Sequence, residues 1–196
     1  MLRSTVAEYH LTTRQRGPSE LGAAAVTNNA GAAREVDMED YVIAEASFQQ
    51  LGAVSALLVN GFYGSTPWFV PMSLRELNRV QSNFPYDTSD HLMVVAKKKG
   101  ASNRDPRSLV GFVDIDARPA APNAKDPAPR PYMSDLTVCP LFRRRGIAKS
   151  LIRYCEAVCV SWGYPSMYLK VDASNEAAFR LYSSLGYAVM ERYLDS

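Results

Sequence analysis

Hydrophobic positions along the chain fall into two recurring periods. Met167, Leu169 and Val171 alternate with Tyr168, Lys170 and Asp172, the two-residue repeat of a half-buried strand. Ile147, Leu151, Cys155, Val158, Cys159 and Trp162 fall on one stripe at helical spacing, which makes Arg145–Trp162 the clearest helix of the chain. Gly163 stops that helix and Pro165 forbids its return. Further elements follow on the same grounds. Tyr41–Ala46 is a short strand. Ser47 caps a helix from Phe48 that carries Leu51, Val54, Leu58 and Phe62, and Gly61 and Gly64 end it. A second, shorter helical pattern covers Leu74–Val80 behind Ser73. Leu92–Ala96 and Leu109–Ile115 are apolar strands of one hairpin, joined by a turn at Lys97–Gly100 and a polar stretch up to Arg107. Pro131–Val138 is the next strand. Asn175 or Ser174 caps a helix with Ala178, Leu181, Tyr182 and Leu185, Gly186 ends it, and Tyr187–Tyr193 is the last strand. The predicted order is strand–helix–helix–strands–strand–helix–strand–helix–strand.

Two segments stand outside this pattern. Across residues 1–36 no period persists. In the first eighteen residues Arg3, Arg14 and Arg16 face a single acid, Glu8; Ser and Thr are frequent, and six alanines fall between Leu21 and Ala33. That composition fits a plastid transit peptide or its remnant, or else an untidy, disordered N-terminal tail of a cytoplasmic protein. Order is therefore expected from near Val36, with a folded domain over 37–196. Ala117–Pro131 holds five prolines, so it can be neither helix nor central strand and is expected as a long surface loop.

Composition bounds the class. A chain of 196 residues is most simply one domain, and 47% apolar residues can fill a core. The longest apolar run is five residues, Leu92–Ala96, against the roughly 20 that a membrane-spanning helix needs. A net charge of +2 gives no bulk argument for nucleic acid or a membrane surface as partner. The three cysteines, Cys139, Cys155 and Cys159, are an odd count at low density, which argues against a disulfide scaffold. With only His10 and His91 to join them, no metal site is expected, and the cysteines are read as buried reduced thiols.

Candidate chemistry concentrates between Leu136 and Ser150, where a strand ends, the chain turns and a helix opens. Arg143, Arg144, Arg145 and Lys149 place four cations in seven residues with no acid among them, and Gly146 sits in their midst. The first N–H groups of a helix lack internal partners and the helix dipole favours an anion there, so cations are disfavoured unless an anion joins them. Such a turn grips a phosphate or pyrophosphate.

About 25 residues later comes Val171-Asp-Ala-Ser-Asn-Glu-Ala-Ala-Phe-Arg-Leu-Tyr-Ser-Ser-Leu-Gly-Tyr187. Together the two segments resemble the GNAT superfamily of acyl-CoA-dependent N-acetyltransferases. Arg143-Arg-Arg-Gly-Ile-Ala148 matches that family's (Gln/Arg)-x-x-Gly-x-(Gly/Ala) turn, and Asn175, Leu181-Tyr182 and Leu185-Gly186-Tyr187 match its second block. The resemblance covers Met133–Tyr193. It implies a single α/β domain with a mixed, mostly antiparallel sheet and helices on both faces, and parallel strands splayed where acetyl-CoA enters. It implies acetyl-CoA as cosubstrate, with no metal, and a primary amine as acceptor. The backbone of Leu136, Thr137 and Val138 would pair with the pantetheine arm. Arg144, Arg145, Gly146, Ile147, Ala148 and Lys149 would wrap the pyrophosphate, with Arg143 supporting the turn. Asn175 would contact the cofactor or the amine, and Tyr182 would protonate the departing thiolate.

The general base is not marked by the resemblance. Some members that acetylate protein N-termini carry an acid at the position matching Lys170, and here it is lysine, so Asp135 is the candidate, with a strand-edge ion pair and proton removal through water as the alternatives. Chloroplast members that act on protein N-termini and lysines share the Arg-Arg-Arg-Gly-Ile turn and a long loop before the fourth strand. Protein N-terminal α-amines, and lysines after them, are therefore the expected acceptors. The competing expectation is a non-catalytic acetyl-CoA-binding or assembly subunit of a larger complex. The resemblance also implies one more antiparallel strand after Tyr193. Either the chain is truncated, or something else covers that edge.

Overall fold

A computed structural model describes residues 7–13, 35–64, 67–102, 105–119 and 130–194. Its centre is one eight-stranded sheet: β1 (Ala7–Thr13), β2 (Glu35–Asp37), β3 (Tyr41–Glu45), β4 (His91–Lys98), β5 (Leu109–Asp116), β6 (Tyr132–Val138), β7 (Tyr168–Asp172) and β8 (Tyr187–Leu194). The spatial order is β2-β3-β4-β5-β6-β7-β1-β8. Every pairing is antiparallel except β6 with β7, which is parallel. Four helices cover it: α1 (Leu51–Tyr63), α2 (Phe69–Ser82), α3 (Ile147–Ser161) and α4 (Glu176–Ser184).

The central strands explain the two-sided cover. In a strand, successive side chains point to opposite faces. In β4, Leu92, Val94 and Ala96 join Ile147, Leu151, Cys155 and Tyr182 of α3 and α4 in one core. The intervening Met93 and Val95 join Leu51, Val54, Leu58 and Val80 of α1 and α2 in the other. A run buried on both faces has no polar side to alternate with, which is why Leu92–Ala96 is continuously apolar.

Several boundaries differ from the sequence expectation. Phe48–Gln50 is a 3-10 turn, and Gly61 lies inside α1, which ends at Gly64 with φ +65. The second helix starts at Phe69 rather than behind Ser73, because Pro71 falls in its first turn, where a missing N–H costs no helical bond. α3 opens at Ile147, after a 3-10 turn at Pro140–Phe142. Of the proline-rich segment, positions 120–129 lie outside the described residues.

The N-terminal expectation needs the larger correction. No period persists across residues 1–36, but Ala7, Tyr9 and Leu11 alternate with Glu8, His10 and Thr12, and this short stretch forms β1, a strand with neighbours on both sides. It runs antiparallel to β7 from Glu8–Asp172 to Thr12–Tyr168, and antiparallel to β8 from Ala7–Leu194 to Thr13–Tyr187. Its hydrogen bonds go to residues more than 150 positions away, a relation that no local window of sequence contains. It also answers the missing antiparallel strand: β1 stands between β7 and β8. The targeting reading falls largely on residues 1–6 and 14–34, which lie outside the described residues.

Candidate active site

The parallel pair β6–β7 is joined only at its start, Tyr132 with Tyr168 and Met133 with Leu169. Beyond Met133 the two strands part, and the β7-facing backbone of Leu136, Thr137 and Val138 has no strand across from it among the described residues. A bulge accompanies the parting. The register of β6 against β5 shifts between Phe112 and Asp114, and Asp135, opposite that shift, has φ +58. A bulge bends its strand and re-aims a side chain, and aspartate tolerates the left-handed region better than most residues. The site therefore begins as a wedge-shaped gap with a free strand edge on one wall.

At the end of that wall lies the cationic turn. Gly146 takes φ +81, a conformation glycine adopts freely, and a Cβ built there meets no protein atom within 4 Å. Gly146 is the residue ahead of α3, and no side chain caps the helix, so the first-turn N–H groups of Ile147, Ala148 and Lys149 are left for solvent or an anion. The arginines divide. Arg143 donates from Nε to the Val138 carbonyl at 3.1 Å and closes the turn on itself. Arg145 donates to the Tyr41 hydroxyl at 3.2 Å, with its guanidinium 5.4 Å from the Phe142 ring, which Lys98 approaches at 4.6 Å. Arg144, at φ +64, and Lys149 stay exposed beside the open N–H groups.

Opposite them, the β7–α4 turn is built by Asp172, which accepts from the Ser174 N–H at 2.7 Å and from its hydroxyl at 2.6 Å. Those bonds hold its carboxyl below the usual carboxylate range. Asn175, not Ser174, caps α4: its Oδ1 accepts from Ala178 N–H at 3.1 Å, which leaves its amide N–H₂ for another partner. Tyr182 lies one helical stretch on, 6% exposed, with its ring 5.5 Å from that of Tyr187. Burial pushes its phenol pKa up, and Cys155 and Tyr132 add to the rise. The hydroxyl therefore stays protonated, as a donor must.

Asp135 faces the α1–α2 side. It accepts from Arg79 Nη2 of α2 at 2.6 Å, and Arg79 Nε donates to Glu76 at 2.8 Å. Burial pushes the Asp135 pKa up, and this outweighs the lowering by Arg79. Asp114 of β5 adds to the rise and is itself bonded to His91 of β4 at 2.8 Å, in a buried pair. Thr137 sits against α1 so closely that a Cβ on Gly61 would overlap its Oγ1.

Arg79 and Gly61 are site residues that the sequence did not mark. In sequence, Arg79 is the (i, i+3) partner of Glu76 on a polar helix face, and Gly61 is a helix-ending glycine; only the crossing of α1 and α2 over β6 gives them their contacts. Cys155 and Cys159 match the buried reading, enclosed in the α3 core, where burial raises their thiols, Cys159 to about 12; Cys139, directly after β6, is only half-buried and departs from it. Among the described residues, no group of three or more His, Cys, Asp or Glu could hold a metal ion. No described helix is long and apolar enough to cross a membrane.

A splayed parallel pair, an uncapped helix start beside exposed cations, and a helix carrying a buried tyrosine define an acyl-CoA-binding α/β class. Residues 62–187 match the model of the acetyltransferase (GNAT) family, and the chain belongs to that family. It is 32% identical over 90 residues to GCN5-related N-acetyltransferase 10, chloroplastic, of Arabidopsis thaliana, a match that covers 43% of this chain and 34% of the relative. It is 28% identical over 85 residues to aminoglycoside N(6')-acetyltransferase type 1 of Salmonella typhimurium, covering 43% of this chain and 59% of that one. Among solved structures, AAC(6')-Iy in complex with a bisubstrate analog, CoA-S-monomethyl-acetylneamine, superposes with a TM-score of 0.57 at 20% identity, covering 80% of this chain and 96% of the other. The chain thus spans about a third of the length of its plastid relative.

Proposed function

We propose that this protein transfers the acetyl group of acetyl-CoA to a primary amine, with the α-amine of a protein or peptide N-terminus as preferred acceptor. One observation carries the reading: the free edge of β6 beyond Met133 runs directly into an uncapped helix start flanked by Arg144 and Lys149. An acyl-CoA combines an extended amide-bearing arm with a pyrophosphate, and those two features match a strand edge followed by an anion site. The backbone of Leu136, Thr137 and Val138 pairs with the arm, and the N–H groups of Ile147, Ala148 and Lys149 take the pyrophosphate with Arg144. Arg143 and Arg145 stiffen the turn from within.

The chemistry follows from the two walls. The amine nitrogen bonds to the thioester carbonyl carbon and the carbon–sulfur bond breaks. Asp135 takes the proton that the nitrogen loses, and Tyr182 gives its proton to the departing sulfur; exchange with solvent resets both groups. A carboxyl raised by burial is a stronger base than an ordinary one. A thiolate leaving into the same enclosed cleft has its proton affinity raised too, which keeps the match with a buried phenol.

The test is acetyl-CoA binding by titration calorimetry, set beside acetyl transfer to peptides followed by mass spectrometry. Gly146→Asp puts a carboxylate and a disfavoured φ where phosphate belongs, and each charge-assisted hydrogen bond lost costs about 1.5–3 kcal/mol, so affinity falls by at least tenfold. Unchanged affinity in that variant sinks the site. Tight binding without transfer to any amine returns the non-catalytic reading.

A further inference from the structure

We propose that Arg79 of α2 is a positioning residue for acetyl transfer, holding the Asp135 carboxylate in the β6 bulge toward the acceptor, and that Glu76 opposes it by competing for the same guanidinium. The inference rests on Asp135 being the base. Asp135 sits at φ +58 in the middle of a strand, a conformation that persists only where surroundings impose it. The surroundings here are specific. A single guanidinium spans two carboxylates: Nη2 to Asp135 at 2.6 Å and Nε to Glu76 at 2.8 Å. Arg79 and Asp135 come from elements 56 residues apart, and the Asp135 side chain is 20% exposed against 44% for Arg79. The carboxylate is thus the enclosed partner and the arginine the arm reaching in from outside. The groups that act on Asp135 are Arg79 and Glu76 from α2 and Asp114 from β5, the last occupied by His91 of β4.

The two α2 residues act in opposite senses. Arg79 favours the ionised form of Asp135, by charge and by hydrogen bond, and Glu76 disfavours it. A base linked to the reaction shows itself in the pH dependence of kcat/KM. Below the amine's own pKa the logarithmic plot rises with slope one. Below the pKa of the base it steepens to slope two, so the break between them reports the base.

The experiment measures that profile for the full chain and for Arg79→Met, Arg79→Lys, Glu76→Gln and Asp135→Asn, with thermal melting of each. Arg79→Met is expected to raise the break by about one pH unit and to lower kcat by about tenfold. Arg79→Lys, which keeps the charge but not the fork, is expected to leave the break near that of the parent and to restore part of kcat. Glu76→Gln is expected to move the break downward. A helix–strand tie with no part in the reaction would change melting temperatures and leave the break unmoved in every variant, and that result overturns the proposal. Should Arg79→Met not fold, the downward shift expected of Glu76→Gln against the unshifted break of Arg79→Lys decides the matter alone. Full activity in Asp135→Asn is a different failure, because it removes the base itself and the proposal with it.

Discussion

At the scale of single residues, Tyr182 and Gly61 separate chemistry from packing. Tyr182 is 6% exposed with its ring tilted against that of Tyr187, so its ring contributes to the core while only its hydroxyl can serve as an acid. Tyr182→Phe preserves the ring. We expect kcat to fall by ~10²-fold with little change in melting temperature, the loss of a general acid. Steady-state rates of thiol release check it, and an unaltered turnover makes Tyr182 a packing residue. Gly61 is the converse case, a residue with no chemistry whose absence of a side chain lets α1 lie on Thr137. Gly61→Ala forces Thr137, a β-branched residue 6% exposed, out of place, at a cost of about 1–3 kcal/mol in stability. It should also weaken acetyl-CoA binding, since Thr137 belongs to the free edge of β6. The double variant Gly61→Ala, Thr137→Ala removes the offending hydroxyl and should regain most of the lost stability in chemical denaturation. If it is no better than the single variant, the contact is not the cause.

At the scale of elements, β1 decides whether the wall around Tyr182 is complete. β8 pairs with β1 and with no other described strand, and β7 has only its two pairs with β6 on the far side. β1 is therefore the tie that holds β8 in the sheet, and α4 lies between β7 and β8 in the chain. Removing residues 1–36 as a leader would take this tie away. Tyr9→Pro tests it within the full chain. Tyr9 pairs with Val171 on one side and Arg192 on the other, and proline in a central strand cannot donate a ladder hydrogen bond. The expected result is a lower melting temperature with faster proteolysis of the C-terminal strand. Wild-type melting in Tyr9→Pro would mean that β1 contributes nothing to the sheet.

At the scale of the whole molecule, the proposed acceptor preference rests on the proposed base. A peptide α-amine has a reference pKa of about 7.7–8.0 and a lysine side chain about 10.4, a gap worth roughly 3.5 kcal/mol in deprotonation. A carboxylate, even one raised by burial, is a far weaker base than a lysine amine, and Lys170, exposed on β7, places a cation where some relatives carry an acid. We expect a peptide with a free N-terminus and no lysine to give a higher kcat/KM at pH 7.5 than an N-terminally blocked peptide with one lysine. Lysine acetylation should rise with pH. An aminoglycoside belongs in the same comparison, given the relatives of that activity. A higher kcat/KM for the blocked peptide or the aminoglycoside overturns the preference. Much of this molecule was written locally. The stripe from Ile147 to Trp162, the alternation of Met167–Asp172, the glycine and cations of the turn ahead of α3 and the Asn175 cap each depend on neighbours within a few residues, so periodicity and turn chemistry determined them. What the tertiary structure alone decided depends on distant partners. The short alternation of Ala7, Tyr9 and Leu11 with Glu8, His10 and Thr12 becomes an inner strand only through backbone bonds to β7 and β8. A bulge aims Asp135 at Arg79. A glycine in α1 is required by a threonine in β6. Backbone pairing, register slips and helix crossings bring together residues that no sequence window contains, and on those contacts the acceptor side of the site is built.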